Sequence, residues 1–420
     1  MFSSKQGQFS MRMYADLSGA SQAGALLSSH REDLPSTLTY ALETLKAGDF
    51  QARWEISKQL SEFGEAAIAP LLAIAKNNAH TLELRWFAIR ALGAFVTPQV
   101  VTELVSFVKA ADEDLRDIAI KTLADMGAPS IHVLTQLLSH PKQRLLAVQA
   151  LSQIRQTAVI EPLLSVVNDA DPQLRYLAIE SLGSFHNQRI TPVLLCALSD
   201  TSAHVRQSAI VTLGRRPDLR DAYSLIDKLK PCLWDLNLAV CKVAAAAIGR
   251  LGGAGAADAL RQVLLSTTTP DDLRIQAVRA LGWLQTEAGL QTLAEALRLN
   301  LYSDRVCNEI IKVLGQAQTP LQALAISELS HQLRSPQFRQ AASVIKQSLV
   351  MSLGNLGATS TFKDLTALLS DADQRVRLHT LAALRQLSPQ TGHHQLRALL
   401  ASNPLPPALQ AEIEESLETW

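Results

Sequence analysis

A chain of 420 residues that sets 39 Lys plus Arg against 39 Asp plus Glu has no formal net charge, so it lacks the basic balance that marks a nucleic-acid or anionic-membrane binder. Apolar residues make up 47% but aromatics only 5%, which points to cores of Leu, Ala, Ile and Val between closely spaced helices. No apolar run reaches the roughly 20 residues of a membrane-spanning helix, so a cytoplasmic protein with no membrane span is expected.

Residues 1–31 are rich in Ser, Gly, Gln and Ala and lack the apolar centre of a secretory signal; they read as a mobile N-terminal leader. From 32 to 420 the chain reads as one continuous body built on an internal repeat. LRWFAIRALG at Leu84 to Gly93 returns as LRYLAIESLG from Leu174, VRQSAIVTLG from Val205 and LRIQAVRALG from Leu273. Anchored on its arginine, the phrase falls at Arg53, Arg85, Arg116, Arg144, Arg175, Arg206, Cys241, Arg274, Cys307, Lys346 and Arg377, with a degenerate copy near Gln410. The spacing of 28 to 39 residues is too short for a domain and too regular for chance. The predicted fold is all-α: a right-handed α-solenoid of about 11–12 helical-hairpin repeats.

Each repeat offers two apolar helical segments, such as ITPVLLCALSD from Ile190 followed by the VRQSAIVTLG phrase. Apolar residues one before and three, four and seven after the anchor follow the spacing of one helical face and should form the core. Glycine eight after the anchor (Gly93, Gly183, Gly214, Gly249, Gly282, Gly315) is expected to end the helix in a left-handed cap. An acid four before it (Asp49, Asp112, Asp171, Asp373) is expected to cap the second helix and to accept bonds from an anchor arginine in a ladder. The units from Arg206 to Cys241 and from Cys307 to Lys346 are the longest and should carry enlarged turns. Cys196, Cys232, Cys241 and Cys307 form no C-x-x-C pair and sit in apolar helical patterns, so buried, reduced thiols are expected.

The L-R-x-x-A-hydrophobic-x-x-L-G phrase resembles a HEAT repeat, of the HEAT-like subtype named for phycobilisome lyases, over about Leu45 to Leu387. LKAGDFQARWEISKQL and LRWFAIRALGAF are also similar to stretches of uncharacterised cyanobacterial HEAT-repeat proteins. The subtype includes E/F-type bilin lyases, which attach or remove linear tetrapyrroles on phycobiliprotein cysteines, and many nonenzymatic adaptors. The resemblance therefore implies a protein-binding scaffold or assembly factor. The alternative it implies is a bilin lyase or lyase-like chaperone, with a phycobilin as transferred ligand and a phycobiliprotein or photosynthetic assembly component as partner.

In HEAT-like arrays the second helices line the concave side. Residues one, five and nine after each anchor remain outside the core set and should form an outward stripe. Its early part carries Trp54, Trp86, Leu145 and Tyr176, with Arg90 beside the tryptophans, a set suited to anchoring a partner. Its later part carries Arg215, Lys242, Arg250, Arg279 and Lys312 with Trp283, a basic track fit for an acidic protein segment, tetrapyrrole propionates or, as a lesser alternative, a nucleic-acid backbone.

No catalytic or metal-binding residue is predicted. The ten histidines include no His-Glu pair, which removes the iron ligands of the HEAT-repeat hydroxylase acting on deoxyhypusine, and no zinc-protease, nucleophile-elbow or phosphate-loop motif occurs. The glycines of RLGGAGAAD follow a helix and read as an interhelical turn.

Overall fold

The computed structural model describes residues 34–418 apart from 109, 300, 388 and 403–406, and the leader expected over 1–31 lies outside the described residues. Among the described residues every regular element is helical, and the chain divides between Ile190 and Thr191 into two compact units. The first unit runs α1 (Leu34–Ala47), α2 (Phe50–Gln59), α3 (Ile68–Lys76), α4 (Leu82–Leu92), α5 (Pro98–Phe107), α6 (Glu113–Asp125), α7 (Ala128–Leu137), α8 (Arg144–Gln153), α9 (Ile160–Leu164) and α10 (Pro172–Leu182). After α11 (Ile190–Ala197), the second runs α12 (Ala203–Leu213), α13 (Leu225–Leu229), α14 (Leu238–Leu251), α15 (Ala256–Leu265), α16 (Asp271–Leu284), α17 (Glu287–Leu299), α18 (Asp304–Leu314), α19 (Gln322–Arg334), α20 (Pro336–Arg339) and α21 (Ser343–Asn355). It ends with α22 (Phe362–Thr366), α23 (Gln374–Leu387), α24 (Pro389–Ser402) and α25 (Pro407–Glu418).

Helical hairpins stack in each unit so that second helices pack on second helices: α2, α4, α6, α8 and α10 in the first, and α12, α14, α16, α18, α21 and α23 in the second. This is the α-solenoid arrangement. The predicted core positions are the buried ones: Leu174, Ala178, Ile179 and Leu182 on α10, and Val205, Ala209, Ile210 and Leu213 on α12. The alanine three after the anchor (Ala88, Ala147, Ala209, Ala277) is wholly buried and lets neighbouring helices approach closely. The longer repeats fold their extra residues into short helical turns at Pro217–Leu219 and Pro336–Arg339.

The acids four before the anchor cap the second helices as expected. Asp49 accepts from the Ala52 N–H, Asp112 from Leu115, Asp171 from Gln173 and Asp373 from Arg375. Each such cap is worth about 1 kcal/mol.

The glycine eight after the anchor has a different role from the one expected. Gly93, Gly183, Gly214 and Gly315 are right-handed, with φ between −59° and −66°, and Gly249 and Gly282 lie inside α14 and α16. What demands glycine is the next repeat. A Cβ on Gly214 would lie 2.6 Å from the Ala247 Cβ, and one on Gly282 would lie 2.4 Å from the Val313 Cγ1. The second helices touch backbone to side chain at these points.

The ladder exists, but its acids are not the capping ones. Arg144 Nη1 donates to Asp169 Oδ2 at 2.9 Å, Arg206 donates through Nε and Nη2 to both carboxylate oxygens of Asp235 at 2.7 Å, and Lys346 Nζ donates to Asp371 Oδ2 at 2.8 Å. Each of these acids stands six residues before the next anchor. Its backbone carbonyl accepts from that anchor: Arg175 Nη1 to Asp169 at 2.8 Å, Cys241 Sγ to Asp235 at 3.1 Å and Arg377 Nη1 to Asp371 at 3.0 Å. Its Oδ1 also accepts the N–H two residues on, from Asp171, Asn237 and Asp373 respectively. One aspartate thus joins the previous repeat's cation, its own turn and its own repeat's anchor. At the ends of the array glutamates serve instead, Glu83 for Arg53 and Glu412 for Arg377.

Of the four thiols, Cys232, Cys241 and Cys307 are buried, whereas Cys196 is exposed. The expectation of four buried thiols is corrected at Cys196, which stands on the outward side of the short helix α11. Burial pushes the Cys232 thiol up to about 11 and raises Cys241 and Cys307 in the same direction. No helix among the described residues is long and apolar enough to cross a membrane.

Candidate protein-interaction surface

Exposure along the predicted stripe is graded rather than uniform. One residue after the anchor, Trp54, Trp86, Leu145, Tyr176 and Lys242 are half-buried, because this position is wedged beside the core residues of its own helix and the neighbouring second helix. Five after, Arg90 is half-buried while Arg279 and Lys312 are exposed. Nine after, Arg215, Arg250 and Trp283 all stand in solvent, since this position lies past the last core residue of the helix.

In the first unit the tryptophans are occupied with one another and with cations. Phe50 on α2 stacks on Trp54 at 6.1 Å between ring centroids and meets Phe87 of α4 edge-on at 5.3 Å, and Trp86 meets Phe87 edge-on at 5.1 Å. The Arg90 guanidinium lies 3.6 Å from the Trp54 ring centroid and 5.9 Å from that of Trp86, and Lys58 Nζ lies 5.4 Å from the Trp54 centroid. Burial lowers the Arg90 pKa from its ordinary value, partly offset by the charge of Asp125. Trp54 therefore joins α2 to α4 as packing, with one edge left to solvent. Tyr176 donates its hydroxyl to Glu180 at 2.8 Å, one turn along α10, and that bond raises its pKa.

The second unit carries the open part of the stripe. Trp283 is 49% exposed at the end of α16, with the Arg250 guanidinium of α14 5.7 Å from its ring centroid. Two of the predicted cations have acidic neighbours that the stripe count did not include. Arg279 bonds Glu309 of α18, which raises the Arg279 pKa, and Lys242 lies 4.0 Å from Asp272. Arg215, Arg250 and Lys312 have no ion pair within 4.0 Å among the described residues. The unneutralised track is thus narrower than the sequence suggests, and of its cations Arg250 lies against Trp283.

Two surface features were missed in the stripe. The turn 234–238 exposes Trp234, Leu236 and Leu238 while Asp235 points inward to Arg206 and Asn237 caps α14. Alternation in WDLNL was the available signal. Counting on from Lys346 gives Gln347, Met351 and Asn355 at positions one, five and nine, on the same face of α21. Phe338, in the other long repeat, is buried. Among the described residues no three or more His, Cys, Asp or Glu are grouped to hold a metal ion.

A comparison with curated proteins finds no match. Among solved structures the fold is similar to Kap95p, in the structure describing its binding to RanGDP, with a TM-score of 0.57 and 12% identity over 91% of this chain and 60% of that one. It is similar to Kap121p bound to Pho4p, with a TM-score of 0.53 and 14% identity over 98% of this chain and 52% of that one. It is also similar to importin beta, with a TM-score of 0.51 and 13% identity over 91% of this chain and 64% of that one. The chain spans less than two thirds of each of these, and at such identities the likeness is one of fold. The HEAT repeats family matches residues 68–153, 160–235 and 226–311, together more than half of the chain. With its helical hairpins, inter-repeat ladder and periodic anchor phrase, this chain belongs to the HEAT-repeat family.

Proposed function

We propose that this protein is a nonenzymatic scaffold that binds another protein on the exposed ends of its second helices. The observation that carries the reading is the group of Trp283, Arg250, Arg215 and Lys312, solvent-facing on second helices that pack directly on one another, Gly214 on Ala247, Gly249 on Ala280 and Gly282 on Val313. A half-exposed tryptophan flanked by unpaired cations on a rigid support supplies a contact anchor and charges that orient a partner. Structures of similar fold are consistent with this use, since Kap95p binds RanGDP and Kap121p binds Pho4p. The test is quantitative co-purification from the native host with wild type and with Trp283→Ala combined with Arg250→Gln. Loss of one defined protein from the variant supports the reading; an unchanged set of bound proteins overturns it.

The phycobilisome-lyase resemblance of the anchor phrase supports a second reading, in which the partner is a phycobiliprotein and the cations Arg215, Arg250 and Lys312 receive bilin propionates. Mixing the protein with a phycobilin and an apo-phycobiliprotein decides between the two. Faster formation of a covalent coloured adduct would establish bilin transfer, and an unchanged rate leaves the scaffold as the function.

A further inference from the structure

Helices α18, α21 and α23 leave a cleft of about 260 Å³ on the second-helix face of the second unit. Its floor is made where Gly315 meets Ser352: a Cβ on Gly315 would lie 2.4 Å from the Ser352 Oγ, so the helices themselves are in contact and the opening lies above them. Around that floor stand Lys312, Gln316, Gln347, Met351, Asn355 and His379, and no Asp or Glu lines the cleft. Lys312 is exposed and unpaired, and the side-chain amides of Gln316 and Gln347 make no hydrogen bond among the described residues. Val344, nearly half exposed, and Met351 give the cleft an apolar flank.

We infer that this cleft binds an extended, acidic segment of a partner protein, with a carboxylate on Lys312, a backbone peptide group on Gln316 and Gln347, and an aliphatic side chain against Met351 and Val344. The inference rests on the scaffold reading and names the kind of partner. Each part of the occupant follows from the lining. A free primary amide both donates and accepts, as a peptide group does, so two of them above a shallow floor match an extended backbone rather than a helix, whose amides are already paired. One cation with no acid in the lining selects a negative side chain over a positive one. Met adapts to varied aliphatic shapes. The volume falls below the roughly 300 Å³ at which sites for whole small-molecule ligands begin, but it holds one or two side chains. A nucleic-acid strand is disfavoured because the lining offers only the His379 imidazole, tied through Nδ1 to the Arg375 carbonyl, for base stacking and a single lysine for phosphate.

The test is fluorescence anisotropy on the full chain with three labelled probes: an octapeptide alternating glutamate and leucine, its glutamine-leucine counterpart, and an oligothymidine of equal length. The Glu-Leu peptide is expected to bind saturably, at least about fivefold more tightly than the Gln-Leu peptide, because only the former gives Lys312 a charged acceptor. Lys312→Gln should remove that preference, and Gln347→Ala should weaken both peptides while leaving the preference intact. Both positions are on the surface, and circular dichroism checks that the variants remain folded. Equal binding of the two peptides, absence of saturable peptide binding, indifference to Lys312→Gln, or tighter binding of the oligonucleotide would each overturn the inference. The scaffold reading fails separately, through Trp283 and Arg250, neither of which lines the cleft.

Discussion

Arg206 and Asp235 face each other as a two-point fork across adjacent repeats, both guanidinium contacts measuring 2.7 Å and both side chains mostly buried. The same Asp235 carbonyl receives the Cys241 thiol at 3.1 Å, so a cysteine stands where most repeats place an arginine and satisfies the same acceptor. Substitution of the anchor is tolerated because the minimal requirement is a donor that reaches the carbonyl, while the inter-repeat bond needs a longer cation. We expect Arg206→Ala to cost about 2 to 3 kcal/mol of unfolding free energy, since it leaves a buried carboxylate without its charged partner. Arg206→Lys should fall between, because an ammonium cannot reproduce the fork. Urea denaturation of the three proteins checks this, and equal midpoints would refute the ladder's energetic role.

The pair also sets an acid dependence. Its hydrogen bond to Arg206 holds the Asp235 carboxyl below its ordinary value, and Arg377 does the same for Glu412. A depressed folded-state pKa contributes stability above the unfolded value, near 4 for a carboxylate, and loses it as pH falls through the folded value. The stability gap between wild type and Arg206→Ala should therefore be full at neutral pH and narrow below about pH 4. A gap independent of pH would show that the carboxylate is not linked to the arginine.

Gly282 provides a test of helix contact against helix capping. Alanine inside a right-handed helix ordinarily gains about 1 kcal/mol over glycine, yet Gly282→Ala should destabilise by about 1 to 3 kcal/mol because its Cβ would overlap the Val313 Cγ1. Shortening the obstacle with Val313→Ala should recover part of that loss. Thermal melts of the single and double variants measure the coupling. Strict additivity would mean the glycine serves its own helix and not the neighbour.

Trp54 and Trp283 should part company under mutation. Trp54→Ala removes the ring on which Arg90 lies and should lower stability by about 1 to 3 kcal/mol. Trp283→Ala should leave the melting temperature nearly unchanged and act on partner binding instead, because its ring is half in solvent. Comparable loss of stability in both would place Trp283 in the core.

Thiol chemistry gives an independent check on burial. Cys196 should react rapidly with a disulfide reagent in the native protein, whereas Cys232, buried and raised to about 11, should react only on unfolding. Rapid native modification of all four would contradict the packing.

The core was legible from the anchor phrase because a fixed helical face leaves a fixed spacing, and Leu174, Ala178, Ile179 and Leu182 are buried where that spacing places them. The capping acids were legible for the same reason: Asp49 and Asp171 act within three residues of themselves. What the sequence could not carry was contact between repeats. Asp235 binds a residue 29 positions earlier, and only the stacking distance selects it over the nearer capping residue. Gly214 and Gly282 look like helix stops in one dimension and prove to be points of contact in three. The graded stripe was hidden because helical periodicity gives a direction about the axis but not how far the next helix covers each turn, so Trp54 and Trp283 looked equivalent and are not.

The most direct measurement of the scaffold account is cross-linking mass spectrometry of the protein with the partner that co-purifies with it. The account predicts cross-links from the partner to Lys242 and Lys312, which lie along the second helices of the second unit, and their loss with Trp283→Ala and Arg250→Gln. Cross-links confined to lysines of the first helices and outer turns, such as Lys228, Lys230 and Lys363, and insensitive to those substitutions, would contradict it.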